Sequence, residues 1–360
     1  TPWFFPCSWH FVIVCSDSRV LTYHMDSSAL DGFSFNMDFD FSDVIYAGSG
    51  FVAVGDRGSY GTAVLFYSNA ANPTAETWLG GVTGIPTDLN SIVWDGLYFF
   101  SVGDPYFSGA EQPSMIAYSQ DGISWAPLDS PTFRTLQHIH STGNRLIAMG
   151  DDGALLDGGV NGASWTHFGT PDEDIFDHEA IARSPNRFAI VGEAVLASDN
   201  GMDWGVERVG LPSGHLGFQD VMWGDGLFVA VGVGGLIATS PDTTPLSWSI
   251  RDSGISQTLR SVAFSGGQYL AVGDGGHAVT SADAVSWTPL ETGTDFDLYG
   301  VVWGDSEFVV VGHPAGGGGG KLFVTSGGPN WPSYSNWSWG QTSGKNLREL
   351  LWTGESYVVA

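Results

Sequence analysis

Apolar and polar positions along the chain follow a repeated order of four short segments. One copy opens with the strand-like segment Leu89–Trp94, and the turn residues Asp95 and Gly96 follow it. Another copy shows a second segment, Leu227–Gly232, which is apolar until its final glycine, and a third segment, Leu236–Ser240. A short apolar run between turn signals predicts a strand buried on both faces. We therefore predict three strands, A, B and C, and a fourth, strand D, centred on a tryptophan.

The four-strand unit recurs about every 42 residues, and a glycine and a tryptophan mark its copies. The glycine that ends strand B occurs at Gly55, Gly103, Gly150, Gly192, Gly232, Gly273 and Gly312. The tryptophan of strand D occurs at Trp78, Trp125, Trp165, Trp204, Trp248, Trp287, and at Trp337 or Trp339. Four short antiparallel strands every ~40 residues predict a β-propeller, because one four-stranded blade buries both faces only by stacking on its neighbours. We expect the glycine to permit the reversal into strand C, and the tryptophan to fill the space that widens toward the rim.

The two ends of the chain predict one further blade. Residues 1–40 contain an N-terminal partial blade, residues 41–340 hold seven full blades, and residues 341–360 form a C-terminal half-blade with strands A and B only. Propellers commonly close by building one blade from both chain ends. We therefore predict an all-β protein with a single β-propeller of eight four-stranded blades, with seven blades as the alternative.

Strand B occurs once more than eight blades require. The extra copies are Phe11–Cys15 near the N-terminus and Tyr357–Ala360 at the end of the sequence. One of them must be displaced or must pair with something else. If Leu347–Ala360 completed the blade of another molecule, the head-to-tail contact would produce a homopolymeric filament, because unpaired edge strands recruit other chains.

Composition and charge narrow the choice of partner. The chain has 39 acidic and 12 basic residues and a net charge of −27 at pH 7, which argues against nucleic acid and anionic membrane surfaces. No apolar run reaches the ~18 residues that a membrane-spanning helix needs. We expect a protein or a glycan as the partner, with self-assembly as a further option. We also expect the protein to be extracellular or at the cell surface, the periplasm included.

Cys7 and Cys15 are the only cysteines of the chain. Two interpretations are compatible with them. They are either two buried thiols or a single disulfide across a hairpin, and the disulfide would require an oxidising compartment.

The turn between strands C and D contains a recurring motif. Its copies include Ser119, Asp121 and Trp125, then Ser281, Asp283 and Trp287. The motif resembles the Asp-box, or bacterial neuraminidase repeat, S-x-D-x-G-x-x-W, although the spacing is usually one residue shorter and several copies lack the glycine. Asp-boxes occur in sialidases, xyloglucan-active propellers, sorting-receptor ectodomains and photosystem assembly-factor propellers. In these families the motif ties a hairpin through side-chain hydrogen bonds, so the resemblance implies a propeller and leaves its function open.

Enzymatic function has little support in the sequence. The resemblance to sialidases implies an arginine triad, and no clear triad is present, so we interpret Arg134, Arg145 and Arg187 as surface charges. With 39 acidic residues, a glycosidase-like carboxylate pair is unavoidable and therefore uninformative. The acidic run Pro171–Glu179 is expected to be a solvated loop. We assign no catalytic residue and expect a recognition or scaffold module, with a glycan-active hydrolase as a less favoured alternative.

The third residue of each strand A is expected to line a central channel, because it alternates away from the packed face. These residues are Asp43, Ser91, His138, Ala180, Asp220, Ser261, Gly300 and Glu349. The channel either holds only water or binds a cation. Oxygen ligands suit Ca²⁺, for which the candidate residues are Asp43, His138, Asp220 and Glu349. A transition metal would instead use the imidazoles of His138, His140 and His178. We expect no cofactor other than this calcium ion.

The turn after strand B is acidic in several blades, with Asp56, Asp104, Asp151, Asp152 and Asp274. These residues are expected to encircle the axis on one face, where they either stabilise tight turns or bind Ca²⁺ or a basic partner. The candidate ligand-binding residues are Asp56, Asp104, Asp151, Asp274, Trp337 and Trp339. The two tryptophans either stack on sugar rings or pack at the rim.

Overall fold

The computed structural model describes residues 10–15, 19–24, 29–34, 41–47, 51–56, 64–68, 78–82, 85–105, 112–142, 145–159, 162–168, 177–207, 209, 217–304, 307–315, 320–326, 350–352 and 357–359. These residues form 32 β-strands joined by turns. None of them belongs to a helix that is long and apolar enough to cross a membrane.

The strands form eight sheets, of which seven are antiparallel blades in chain order. The N-terminal strands are β1 (His10–Cys15), β2 (Arg19–His24) and β3 (Ala29–Ser34). Blade 1 contains β4 (Phe41–Tyr46), β5 (Phe51–Gly55), β6 (Val64–Ser68) and β7 (Trp78–Val82). Blade 2 contains β8 (Leu89–Trp94), β9 (Phe99–Pro105), β10 (Ser114–Ser119) and β11 (Trp125–Leu128). Blade 3 contains β12 (Leu136–Ser141), β13 (Leu146–Gly150), β14 (Leu155–Asp157) and β15 (Thr166–His167). Blade 4 contains β16 (His178–Arg183), β17 (Phe188–Gly192), β18 (Val195–Ser198) and β19 (Gly205–Glu207).

The remaining blades continue the same order. Blade 5 contains β20 (Phe218–Gly224), β21 (Leu227–Gly232), β22 (Ile237–Pro241) and β23 (Ser249–Arg251). Blade 6 contains β24 (Leu259–Phe264), β25 (Tyr269–Gly273), β26 (Ala278–Ser281) and β27 (Thr288–Leu290). Blade 7 contains β28 (Asp297–Gly304), β29 (Glu307–His313) and β30 (Lys321–Ser326). The last strands are β31 (Leu350–Trp352) and β32 (Tyr357–Val359). The all-β propeller prediction is confirmed.

The ring closes through a five-stranded sheet that contains both ends of the chain. Its strand order is β3-β2-β1-β32-β31, and β1 runs parallel to β32 with Phe11 opposite Tyr357 and Ile13 opposite Val359. This sheet touches β28 of blade 7 and β4 of blade 1. Both extra copies of strand B therefore lie side by side in one sheet. The edge of β32 that a filament would use is occupied by β1 of the same chain.

A β-bulge interrupts the pairing of strands A and B in blades 1 to 7. The pairing register shifts between the first and third residue of strand A in blades 1 to 6, as between Leu259 and Ser261 in blade 6, and between the second and fourth residue of β28 in blade 7. A bulge leaves its extra residue outside the ladder and increases the local twist. In each blade the bulge residue thus lies at the end of the sheet nearest the axis, and the residue after it faces the channel.

Apolar layers between successive blades form the core. Strand B is buried along its length in blades 1, 3, 4 and 6, and each described layer combines side chains of two neighbouring blades. Between blades 4 and 5, Trp248 packs 6.5 Å from Phe218 and 6.4 Å from Phe228, measured between ring centroids. The tryptophans do fill the space between blades, but the prediction that they centre strand D is wrong. Trp125 begins its strand, and Trp248 precedes β23 by one residue.

The glycine after strand B serves a different purpose from the one expected. The backbone of Gly273 is extended (φ −170°), so any residue could adopt its torsion. A β-carbon at this position would lie 1.9 Å from the carbonyl oxygen of Thr258, the residue before strand A. The next residue, Asp274, donates its N–H to the same oxygen at 3.0 Å. Glycine is required at position 273 because two backbone segments touch. The left-handed residues of the reversal are Gly275 (φ 64°) and Gly276 (φ 75°).

Candidate functional site

Seven strands A line an open cavity of about 500 Å³ on the propeller axis. All described third residues line it, which confirms the predicted channel: Asp43, Ser91, His138, Ala180, Asp220, Ser261 and Gly300. The bulge residues Glu179, Gln219, Arg260 and Tyr299 line the same cavity. We call the end of the cavity where strands A begin the axial mouth.

Two aspartates of the cavity wall join neighbouring blades. Asp220 Oδ2 accepts hydrogen bonds from Ser261 Oγ at 3.0 Å and from the N–H of Val262 at 2.9 Å. Ser261 Oγ in turn accepts the N–H of Val301 in blade 7 at 3.2 Å. Asp43 makes the same two bonds with blade 2. Burial raises the pKa of both aspartates to about 6, against the opposing effect of these hydrogen bonds.

The structure does not bring the proposed metal ligands together. His138 lines the cavity, where burial lowers its pKa to about 4, and burial and Arg183 lower the pKa of His140. His178 is the first residue of β16 and is buried, with both ring nitrogens unpartnered among the described residues. In the described part of the chain no three histidine, cysteine or acidic side chains could hold one metal ion. Glu349 lies outside the described residues, as do Cys7, Trp337 and Trp339.

The acidic turns after strand B pair with the bulge residues of their own blades. Asn90 Nδ2 donates to Asp104 Oδ1 at 3.1 Å, and Gln137 Nε2 donates to Asp151 Oδ1 at 3.2 Å. In blade 6, Arg260 forms an ion pair with Asp274 at 2.5 Å. The two partners stand 14 residues apart in each case. Asp56 stands at the equivalent place in blade 1. Sequence reasoning identified the acids and missed their partners, for which the constant spacing was the available signal.

Carboxylates converge on the axial mouth at blades 3 and 4. Burial, then Asp177 and Asp152, raise the pKa of Asp151, although Gln137 opposes the change. Burial, Asp177, Asp151 and Glu193 likewise raise the pKa of Glu179. The mouth is therefore a site of concentrated negative potential, and its carboxylates repel one another.

The opposite side of the mouth is cationic and aromatic. The guanidinium of Arg260 lies 4.6 Å from the centre of the Tyr299 ring. That ring stacks on His313 with centroids 4.4 Å apart and an interplanar angle of 18°. The bulge residue of blade 7 thus contacts its partner 14 positions later by stacking instead of hydrogen bonding.

The three arginines considered for a sialidase triad occupy separate places. Arg134 pairs with Asp152 at 2.9 Å, and Arg145 pairs with Asp157. The interpretation of Arg187 as a surface charge is wrong, because its side chain is only 5% exposed. Besides pairing with the carboxylate of Asp199, Arg187 donates to two residues of blade 5: the carbonyl of Thr243 (2.6 Å) and the hydroxyl of Thr244 (2.7 Å). It joins two blades.

The turn between strands C and D is held by its own side chains. Asp121 Oδ1 accepts the N–H groups of Ile123 at 2.9 Å and Ser124 at 2.7 Å. These bonds hold the pKa of Asp121 below its ordinary value. The side-chain oxygens of Asn200 in blade 4 and Asp283 in blade 6 accept the equivalent pairs. The motif is therefore a structural device in this chain.

Solved structures resemble the chain at the level of fold. It matches the computationally designed Ika8 protein with a TM-score of 0.61 and 10% identity over 89% of this chain and 96% of that chain. It matches BamB from Moraxella catarrhalis with a TM-score of 0.58 and 12% identity over 87% and 88%. It matches YCF48 bound to D1 peptide with a TM-score of 0.55 and 15% identity over 86% and 95%. No protein-family model and no curated protein matches the sequence. The chain is a β-propeller, and at these identities the similarity extends to the fold alone.

Proposed function

We propose that this propeller is a non-catalytic protein-binding module whose partner presents a basic segment to the axial mouth. The observation that carries the proposal is the convergence of Asp151, Asp177, Glu179 and Glu193 beside an open cavity. Among charged groups this close, a cation is the ligand that relieves the repulsion and lowers the raised pKa values. The cavity gives room for one inserted side chain of the partner.

The fold suits a binding role. A ring of blades holds the mouth rigidly, so little ordering is needed when a partner binds. One structural neighbour, YCF48, is itself described as bound to a peptide.

A displayed library of random peptides, selected on the immobilised full chain, tests the proposal. We expect enrichment of lysine- and arginine-rich peptides whose affinity falls as the salt concentration rises. Glu179→Gln should weaken these peptides at least fivefold, because it removes the one charge that lines the cavity in this sector. The matched control is Asp203→Asn, which removes one charge from the C–D turn on the opposite face. The affinity of the Asp203→Asn variant for the selected peptides should stay within twofold of that of the unchanged chain.

Two results would count against the axial mouth. Selected peptides that bind Glu179→Gln and the unchanged chain equally well would place binding elsewhere on the disc. A second variant, Ala180→Trp, fills the cavity from a wall position, and unchanged binding to it would rule out insertion along the axis.

We further propose that the protein acts outside the cell or at its surface, because its strongly acidic composition and its single pair of cysteines suit that setting. Intact-mass measurement with and without reductant tests for the Cys7–Cys15 disulfide. Glycan binding is the alternative function, and a glycan array reports on it directly. Filament assembly has less support, since β32 pairs with β1 of the same chain. A scattering mass that rises with concentration would revive it.

A further inference from the structure

The turn between strands B and C is closed by a carboxylate in two blades. In blade 3, Asp177 Oδ1 accepts the N–H of Asp152 at 2.9 Å. In blade 6, Asp297 Oδ1 accepts the N–H of Gly275 at 2.8 Å. Both donors are the middle residue of a three-residue turn with a left-handed conformation (φ 53° and 64°). Both acceptors stand at the start of strand A of the next blade.

Blade 5 builds the same turn without its carboxylate. Val233–Gly235 has the same backbone, with Gly234 at φ 69° in the middle. The next blade places Thr258 where Asp177 and Asp297 stand in the other two cases. Within the described part of the chain, no residue accepts a hydrogen bond from the Gly234 N–H.

A groove of about 600 Å³ has Gly234 in its wall. Its walls include Val233 and Ile250, which are 55% and 41% exposed, so apolar surface faces solvent here. Arg251 also lines the groove. It donates Nε to Thr239 Oγ1 at 2.9 Å, and no carboxylate of the described residues pairs with it. The one acid in the lining, Asp252, accepts the N–H of Gly254 at 2.9 Å.

We infer that this groove binds a carboxylate that carries an apolar group. The carboxylate takes the place that Asp297 occupies in blade 6 and accepts the N–H of Gly234. Arg251 supplies the positive charge, which an arginine offers to a carboxylate through two N–H donors. The apolar group covers Val233 and Ile250. Two sources have this chemistry: a free organic acid and the C-terminus of a peptide that ends in an apolar residue.

Small ligands that lack either the negative charge or the apolar group test the two contacts separately. Titrations of the full chain labelled with ¹⁵N-glycine give dissociation constants and show whether turn amides shift. We expect 4-methylpentanoate to bind at least tenfold tighter than acetate, which lacks the apolar group, and 4-methylpentanamide, which lacks the charge. Equal binding of the acid and the amide would overturn the inference.

Three variants locate the site. Arg251→Gln keeps a donor for Thr239 and should weaken 4-methylpentanoate at least fivefold. Thr258→Asp installs the carboxylate that blade 7 already provides to blade 6, so it should abolish binding and raise the melting temperature. Thr288→Asp is the control: it adds the same charge to the outermost strand of blade 6 and should change neither the affinity for 4-methylpentanoate nor the melting temperature. Unaltered affinity in both Arg251→Gln and Thr258→Asp would exclude the groove.

The source of the carboxylate is decided by peptides. An N-acetylated tripeptide that ends in leucine is compared with its C-terminal amide and with 4-methylpentanoate. A chain terminus is the source if the peptide acid binds more than tenfold tighter than both. A free acid is the source if 4-methylpentanoate binds at least as tightly as the peptide acid.

Discussion

Replacement of Gly273 by alanine should destabilise the propeller through a collision between two backbone segments. The added β-carbon would lie 1.9 Å from the carbonyl oxygen of Thr258, 2.8 Å from its carbonyl carbon and 2.9 Å from Leu259 Cα. None of these atoms belongs to a flexible side chain, so β25 and the start of β24 must move apart. The torsion itself is extended and contributes nothing to the cost.

The magnitude follows from two consequences of that movement. Separation of the segments by about 1 Å breaks the bond from the Asp274 N–H to Thr258, worth about 1 kcal/mol net. Overpacking in a rigid core adds about 1–3 kcal/mol. We expect Gly273→Ala to lower the free energy of unfolding by about 3 kcal/mol.

Two glycines of the same blade are matched controls. Gly267 has no atom within 4 Å of an added β-carbon and is not left-handed, so Gly267→Ala should be neutral or stabilise by up to about 0.5 kcal/mol. Gly266 has the same open space but φ +84°, so Gly266→Ala should cost about 1 kcal/mol through torsion alone. Urea unfolding followed by tryptophan fluorescence and far-UV circular dichroism ranks the three. A loss for Gly273→Ala no larger than that for Gly266→Ala would refute the backbone-contact argument.

Three other substitutions, one of them with a comparison variant, test buried polar side chains. Arg187→Met removes the bonds of a buried guanidinium to Asp199, Thr243 and Thr244, which are themselves exposed, and should cost about 1–3 kcal/mol in urea unfolding, whereas Arg134→Ala breaks an exposed pair and should cost under about 1 kcal/mol. Burial holds His178 neutral with a pKa of about 4, below its unfolded value, so stability should fall by up to about 3 kcal/mol as pH drops from 6.5 to 4. His178→Phe should remove that loss; an unchanged pH profile would contradict the assignment. Ser261→Ala deprives Asp220 of a donor and should cost about 1–3 kcal/mol, and a neutral result would show that the bond adds nothing.

The repeat itself was accessible from the sequence because it rests on local chemistry. The strand-like segment Leu89–Trp94 predicted the bounds of β8, and the apolar run Leu227–Gly232 predicted those of β21. The third residues of strand A were placed at the channel because successive side chains of a strand point to opposite faces. The propeller followed from the fact that a single blade cannot bury both of its faces.

The bulge residues were beyond that reasoning. A bulge adds one residue to a strand, so the first two buried apolar residues of strand A stand three positions apart, as Leu259 and Val262 do, and a search for two-residue alternation overlooks it. Arg260 was therefore not singled out, and Glu179 was assigned to a solvated loop, although both line the cavity. The role of Gly273 was missed for a related reason. Its contact is with Thr258, which belongs to another strand, and sequence patterns identify glycines mainly through turns.

Every blade of the propeller repeats the same backbone, so equivalent positions can be compared from one blade to another. In blades 2, 3, 6 and 7 the bulge residue of strand A contacts the residue 14 positions later, as Arg260 contacts Asp274. Blade 4 places Glu179 and Glu193 there, and blade 5 places Gln219 and Val233, although the bulge is the same. The fold does not require these departures, since neighbouring blades close without them. Two adjacent blades therefore leave an acidic sector and an apolar groove open on one face. If both proposals hold, a partner that joins a cationic segment to an apolar carboxylate would bind across blades 4 and 5 more tightly than either group alone.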